Sequence, residues 1–350
     1  MIFVSIGLPT RFTDWCDAVV VRLVESALGP AALIGADTIE EIGVDLVRSS
    51  APHLVIGSRC PNEAMRALLG SGNTLVIVAL DRPVAAVHDL VTGYGLDIKA
   101  AIRAAGNSCA ALLGAGALPG PLVLRADPEG RDAVAAASVI ALALGLDLGR
   151  DQIAAAIEVT PGLDAMTEMD RVGPWWEALD PALRAIVSGA LAGYGDQLGG
   201  PECGEMIWDR SLFWLGDDPA RSADGPIELA GPARALVLGP DISLPAGDWN
   251  AVFTIGVSRE ETVTPFRAAV IAGPRHLPLA EIDIVPDGRG VCTAVIGFTV
   301  AAATEQPISL RVASTGDATA GRLALGNVTV APRASTQADI PPELTSALGL

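Results

Sequence analysis

Along residues 1–199 the apolar positions switch between short continuous runs and stretches spaced by three to four. Ile2, Phe3, Val4 and Ile6 form the first run and predict a strand. Trp15, Val19, Val20, Leu23 and Val24 recur at helical spacing and predict a helix over 15–28. The alternation continues with an apolar segment at 31–34, an acidic helix over 38–48, a strand at 53–56 and a helix over 62–69. The run at 74–79 is unbroken and apolar, as in a parallel strand covered on both faces. Helices are predicted from Pro83 to 92 and over 97–113, a strand at 121–125, and a helix over 130–144. Helices at 150–157, near 163–169 and over 181–198 close the half. This alternation predicts an α/β doubly wound parallel sheet with a P-loop-like frame over 1–199.

From residue 231 the period changes. Short runs at 235–238, 242–244, 249–257, 266–272, 279–285, 291–300, 308–313 and 323–330 are separated by turn residues such as Pro245-Ala246-Gly247-Asp248. Such spacing predicts an all-β jelly-roll sandwich over 231–332. Residues 200–230 carry Pro201, Gly216, Asp217-Asp218-Pro219 and Asp224-Gly225-Pro226 and are read as a linker. Trp208, Phe213 and Trp214 predict that this linker packs against something instead of hanging free. Residues 333–350 form a polar tail, expected to be disordered.

Charge narrows the partners. The chain has a net charge of −18, and Lys99 is its only lysine. That argues against nucleic acid and anionic membrane surfaces. No apolar run reaches the roughly 20 residues of a membrane span, and no basic segment precedes the first strand. Five scattered cysteines, never spaced as CxxC, point to reduced thiols and a cytoplasmic location. His53, His88 and His276 have no metal-site spacing, so no metal is expected. Oligomeric state is not legible.

The chemistry concentrates at residues 5–15, where a strand runs into Gly7-Leu8-Pro9 and then a helix. This is the strand–loop–helix frame of a phosphate-binding loop. Such a loop needs glycines for close backbone approach and a lysine for the phosphate charge. Here its interior is Thr10, Arg11, Phe12, Thr13 and Asp14.

With Pro9, Thr13 and Trp15 at its proline, threonine and tryptophan positions, this loop resembles the P-(K/R)-S-G-(T/S)-T-W loop of the sulfotransferase superfamily. Gly57-Ser58-Arg59-Cys60-Pro61 occupies the place of that family's K-(T/S)-H-x-P segment. Leu80-Asp81-Arg82-Pro83, followed by Val84 to His88, occupies that of R-(D/N)-P-(R/K)-D-x-x-x-S. Leu122 to Pro128 is similar to its (V/L)-x-R-Y-E-D-L segment. The resemblance spans 1–199 and implies 3′-phosphoadenosine-5′-phosphosulfate as cofactor. The departures are systematic. The loop cation aligns with Thr10, and the loop serine and glycine with Arg11 and Phe12. The general-base histidine aligns with Arg59, a guanidinium that cannot accept a proton. The groups holding the nucleotide 3′-phosphate align with Leu80 and His88.

The second half resembles the carbohydrate-binding, galactose-binding-like sandwiches, through residues 238–249, 307–312 and 321–325. Trp249 and Arg311 are its glycan-binding candidates. Trp249 also fits a core position, and Arg311 could meet a sugar or pair with an acid such as Glu281.

These readings predict a sulfotransferase-like pseudoenzyme that has lost its cofactor and acts as a glycan- or protein-binding accessory, in bacterial polysaccharide synthesis. An alternative is an active sulfotransferase whose rearranged site uses Arg11, Arg82 and His88, with Thr13 at the cofactor and Arg59 as a further catalytic candidate. A third is a structural assembly protein.

Overall fold

The computed structural model describes residues 1–71, 75–113, 115, 118–126, 132–160, 171–195, 198, 202–258, 265–286, 290–301 and 306–333. The helix expected near 163–169, and all of the expected tail except Arg333, lie outside these residues.

Five parallel strands build the first half: β1 (Ile2–Gly7), β2 (Ala31–Gly35), β3 (His53–Ser58), β4 (Val76–Leu80) and β5 (Leu122–Arg125). Their order is β2-β3-β1-β4-β5, with β1 in register between β3 and β4. Because the middle strands are covered on both faces, β4 is buried throughout, and the continuous apolar run follows.

One face carries α1 (Arg11–Leu28), α6 (Ala133–Ala143) and α7 (Arg150–Glu158), which pack on Phe3, Val55, Ile77 and Ala79. The other carries α2 (Ile39–Arg48), α3 (Glu63–Gly70), α4 (Pro83–Thr92), α5 (Ile98–Leu112), α8 (Val172–Ala178) and α9 (Pro181–Leu191). Helix starts are fixed locally. Thr10 caps α1, Thr38 and Glu41 form a reciprocal capping box on α2, and Asp97 caps α5. Adjacent strands β1 and β4 therefore send their helices to opposite faces, which opens a crevice at their carboxyl ends.

The second half is an antiparallel β-sandwich. One sheet has the order β13-β12-β15-β10-β7-β8, the other β14-β11-β16-β6, with β9 paired to β16. The strands are β6 (Met206–Trp208), β7 (Trp214–Leu215), β8 (Asp218–Ser222), β9 (Ile227–Glu228), β10 (Ala235–Ile242), β11 (Gly247–Ser258), β12 (Phe266–Ala272), β13 (Leu277–Ile284), β14 (Gly290–Val300), β15 (Ile308–Ser314) and β16 (Arg322–Pro332). In β11, alternate residues Trp249, Ala251, Phe253 and Ile255 are buried, the period-two pattern of a strand with one face in the core.

The linker reading of 200–230 needs correction. Residues 206–228 supply β6–β9, which extend both sheets and bury Trp208 and Phe213. The run at 235–238 and Ile242, the first residue of the run at 242–244, belong to a single strand, β10, with a bulge at Asp241, which sits at φ 62°.

A single apolar core joins the two halves. Ala101, Ile102 and Ala105 of α5 and Val187 and Leu191 of α9 belong to the same buried cluster as Trp208, Ile242 and Phe253. Arg103 of α5 reinforces the junction. Its Nε donates to Pro240 O at 2.8 Å, its Nη2 to Leu212 O at 3.0 Å, and its guanidinium lies 5.1 Å from the centre of the Trp214 ring.

Candidate functional site at the carboxyl edge of the parallel sheet

Gly7 ends β1 where the first turn of α1 comes very close. A side chain at residue 7 would meet Ala79 O and Thr13 Oγ1 at 2.5 Å. The loop is thus pressed against β4. Thr10 and Thr13 are fully buried, with Thr13 N–H donating to Thr10 Oγ1 at 3.3 Å. Phe12 points into the core beside Trp15, ring centres 6.3 Å apart.

The first amide of α1 is where a phosphate loop would receive an anion. Here the Arg11 N–H donates to Asp89 Oδ2 at 2.7 Å. Asp89, on α4, is 1 % exposed. Its Oδ1 also lies 2.8 Å from His88 Nδ1 and 3.5 Å from Arg171 Nη1. Burial alone would raise the Asp89 pKa, but the His88, Arg11 and Arg171 donors more than offset this and hold it below the ordinary carboxylate value. Trp175 of α8 lies edge-on to the His88 ring at 5.2 Å, so His88 is covered. A few residues away, Asp81 closes β4 and accepts from the Arg82 N–H at 2.7 Å. Burial pushes its pKa up to about 6, against the Arg82 bond and helped by the charge of Asp89.

A second ionic cluster lies across the loop. Arg59 Nη2 donates to Asp14 Oδ1 at 2.7 Å and to Asp17 Oδ2 at 2.6 Å. Asp17 is 2 % exposed and sits in the otherwise apolar stripe of α1. Gly57 makes room for it, since a side chain there would meet Asp17 Oδ2 at 2.7 Å. Burial works to lower the Arg59 pKa, but the facing Asp17 and Asp14 carboxylates raise it overall. Asp37, after β2, fixes the turn that carries Arg59. Its Oδ1 accepts from Ser58 Oγ at 2.6 Å, Arg59 N at 2.9 Å and Cys60 N at 2.8 Å. Tyr94 donates to the remaining Asp14 oxygen at 3.1 Å.

The structure thus gathers Arg11, Thr13, Arg59, Arg82 and His88 around one sheet edge. Arg11 and His88 are linked through Asp89, while Arg59 is held on the other side of the loop by Asp14 and Asp17. Asp14, Asp17, Asp37, Asp81, Asp89 and Arg171 complete the edge; of these the sequence reading named only Asp14 and Asp81, as members of its motifs. Asp17 and Asp89 do carry a signal there, as single acids among apolar neighbours. Among the described residues no group of three or more His, Cys, Asp or Glu is arranged to hold a metal, and no helix is long and apolar enough to cross a membrane.

The sandwich candidates separate. Trp249 is 2 % exposed, with its indole N–H donating to Pro245 O at 3.1 Å, so no sugar can stack on it. Arg311 is half-buried in the middle of β15, in a row that runs Glu281, Ala269, Arg311, Leu238, Trp214. Glu281 lies 3.9 Å from Arg267, and Arg311 has no hydrogen bond or ion pair among the described residues.

No protein-family model matches the chain, and no curated protein resembles it in sequence. Among solved structures it is similar to a Stig cyclase, Fisc, from Fischerella sp. TAU, at 16% identity and a TM-score of 0.22 over 29% of this chain and 55% of that one. The chain therefore spans about half the length of that cyclase. It is also similar to mouse sulfotransferase SULT7A1 complexed with PAP, at 15% identity and a TM-score of 0.37 over 52% of this chain and 79% of that one. A CBM4 structure is similar at 11% identity and a TM-score of 0.24 over 36% of this chain and 86% of that one. At TM-scores this low the likenesses say nothing of ligand or activity. What stands is the architecture, a parallel five-stranded α/β sheet followed by antiparallel sheets that form a β-sandwich.

Proposed function

We propose that this chain is a non-catalytic binding protein. Its sulfotransferase-like half does not hold 3′-phosphoadenosine-5′-phosphosulfate, and the protein serves as a glycan- or protein-binding accessory in bacterial polysaccharide synthesis. The observation that supports this reading best is the Asp89 carboxylate on the first amide of α1. A nucleotide phosphate needs that amide and brings negative charge of its own. It would have to displace a buried carboxylate held by three donors, then face Asp14 and Asp81. The guanidinium that stands at the family's base position is already committed to two carboxylates. His88 also has its Nδ1 committed to Asp89.

Calorimetric titration of the full chain with 3′-phosphoadenosine 5′-phosphate tests the reading. No binding tighter than about 100 μM, roughly 5.5 kcal/mol, is expected. Tighter binding, abolished by Arg11→Ala or Arg82→Ala, would instead establish the rearranged active site. On the sandwich side, Arg311 offers guanidinium donors on a sheet face beside small and apolar neighbours. A glycan array with the full chain is expected to give hits that Arg311→Ala weakens. An array without hits would leave assembly as the role of the sandwich.

A further inference from the structure

The edges of the three sheets are not equally protected. An edge strand offers a row of unpaired N–H and C=O groups, which soluble proteins blunt by shortness, charge, proline or a cover. In the parallel sheet, β2 and β5 have only five and four residues. In the sandwich, β8 carries Asp218, Pro219 and Arg221, and β13 carries Pro278, Glu281 and Asp283. β6 has three residues and lies against α9, where a side chain at Gly189 would meet Ile207 O at 3.0 Å. β14 has none of these devices. It runs for 11 residues without a charge or a proline, and among the described residues it pairs with β11 alone.

The direction of its backbone groups follows from the register. Arg333 N–H donates to Asp248 O at 2.7 Å, so Asp248 turns its backbone groups toward β16. These groups alternate sides along an antiparallel strand. Trp249, Ala251, Phe253 and Ile255 therefore turn theirs toward β14, where they meet Phe298, Ile296, Ala294 and Cys292. The intervening Val291, Thr293, Val295, Gly297 and Thr299 turn their N–H and C=O groups away from β11, to the open edge. Their side chains are exposed as well, Val291 at 77 % and Val295 at 55 %.

What can cover this edge is restricted, because the occupant must be extended and must donate at every second residue. Residues 334–350 leave from nearby, since Arg333 lies against Gly297, but Pro341-Pro342 interrupts that segment and proline cannot donate to a ladder. A second β14 meets the requirement. Run antiparallel about a two-fold axis at Val295, it sets Val295 beside its counterpart, Thr293 beside Gly297 and Val291 beside Thr299. Both members of each such pair offer outward backbone groups. Charge favours the same contact. At a net charge of −18 two copies repel over most of their surface, and β14 brings no charge into the pairing.

We infer that β14 is the self-association edge of this chain, joining two copies by an antiparallel, two-fold β14–β14 pair into one continuous sheet. The assembly closes at two, because the far edge of that sheet is the short β6 beside α9. A strand of this length spans about 37 Å and a sandwich edge is about 10 Å deep. The contact then covers roughly 400 Å² per copy, about half of what a stable complex buries. The dimer is accordingly weak and reversible, and salt strengthens it by screening the net charge. The pairing needs neither a glycan nor a nucleotide.

Sedimentation velocity of the full chain tests it, over a series up to about 500 μM that reports micromolar to millimolar dissociation constants. A monomer–dimer equilibrium is expected, shifted toward the dimer as salt rises. Val295→Lys puts like charges at the axis and is expected to weaken association tenfold or more with the thermal midpoint retained. Val295→Pro removes an N–H that β11 does not use and is expected to weaken it equally. Residues directly opposed in such a pair lie about 5.5 Å apart at Cα, within disulfide reach. Val295→Cys is therefore expected to form a covalent dimer as glutathione disulfide is reduced, where the parent forms none. A monomer at every concentration, association unchanged in Val295→Lys, no cross-link in Val295→Cys, or growth beyond the dimer would overturn the assignment.

Discussion

Replacing Asp81 with asparagine isolates the energetic consequence of crowding carboxylates at the β1–β4 crevice. Asp81 ionises in the folded protein near pH 6, against 3.8 for a free aspartate, chiefly because it is buried. Below pH 3.8 the group is protonated in both folded and unfolded chains and contributes no difference. Between 3.8 and 6 the unfolded chain releases its proton while the folded one holds it, so stability falls as pH rises. Above 6 both are ionised and the loss is complete. At 1.36 kcal/mol per pH unit the interval corresponds to about 3 kcal/mol, and residual exposure brings it to about 2 kcal/mol. Asparagine keeps the oxygen that accepts from the Arg82 N–H but cannot ionise. Asp81→Asn is therefore expected to be close to the parent at pH 4 and to exceed it by about 2 kcal/mol at pH 7–8. Urea unfolding of both proteins at unit steps from pH 4 to 8 measures this difference. A difference that is flat with pH, or largest at pH 4, would refute the reasoning.

Two further outcomes follow from named contacts. Arg59→Ala leaves Asp17 buried without its cation and is expected to cost about 3–5 kcal/mol; Arg59→Met combined with Asp17→Leu should recover most of that in the same urea assay. Arg103→Ala removes two bonds across the junction and the stacking on Trp214, and is expected to lower stability by about 2–4 kcal/mol. Calorimetry should show one shifted transition, and a split into two would mean that the halves unfold independently.

The fold was legible where a period is enforced by burial on known faces. The continuous run of β4, the three-to-four stripe of α1 and the alternation in β11 all follow from how much of each element is covered. Strands β6–β9 escaped because each has only two to five residues and is interrupted by Gly and Pro. Their pairing is set by partners such as β10 and β16 far along the chain. The site was half legible. Departures from the loop pattern mark where the sequence differs from it, yet not which contacts the loop makes. Those contacts are ion pairs between residues 42 and 45 positions apart, and an amide–carboxylate bond spanning 78. No local pattern encodes such distances. Trp249 belongs to the core for a reason its neighbours do show, since it starts the inward-facing series of β11.

The shared core sets the smallest piece of this chain that can be handled, inherited or fused as a unit. A fragment beginning at residue 231 would lack β6, which borders β16 at the edge of one sheet, and β7, which borders β10 in the other, with β8 paired to it. It would also uncover the sandwich surface against which α5 and α9 pack. Any ancestral joining of an α/β sheet to a β-sandwich therefore either took place upstream of Met206 or was followed by growth of those strands in place. The seam visible in the amino-acid texture near residue 231 is thus displaced from the seam in three dimensions, and a library of truncations should recover soluble protein only from cuts that respect the latter.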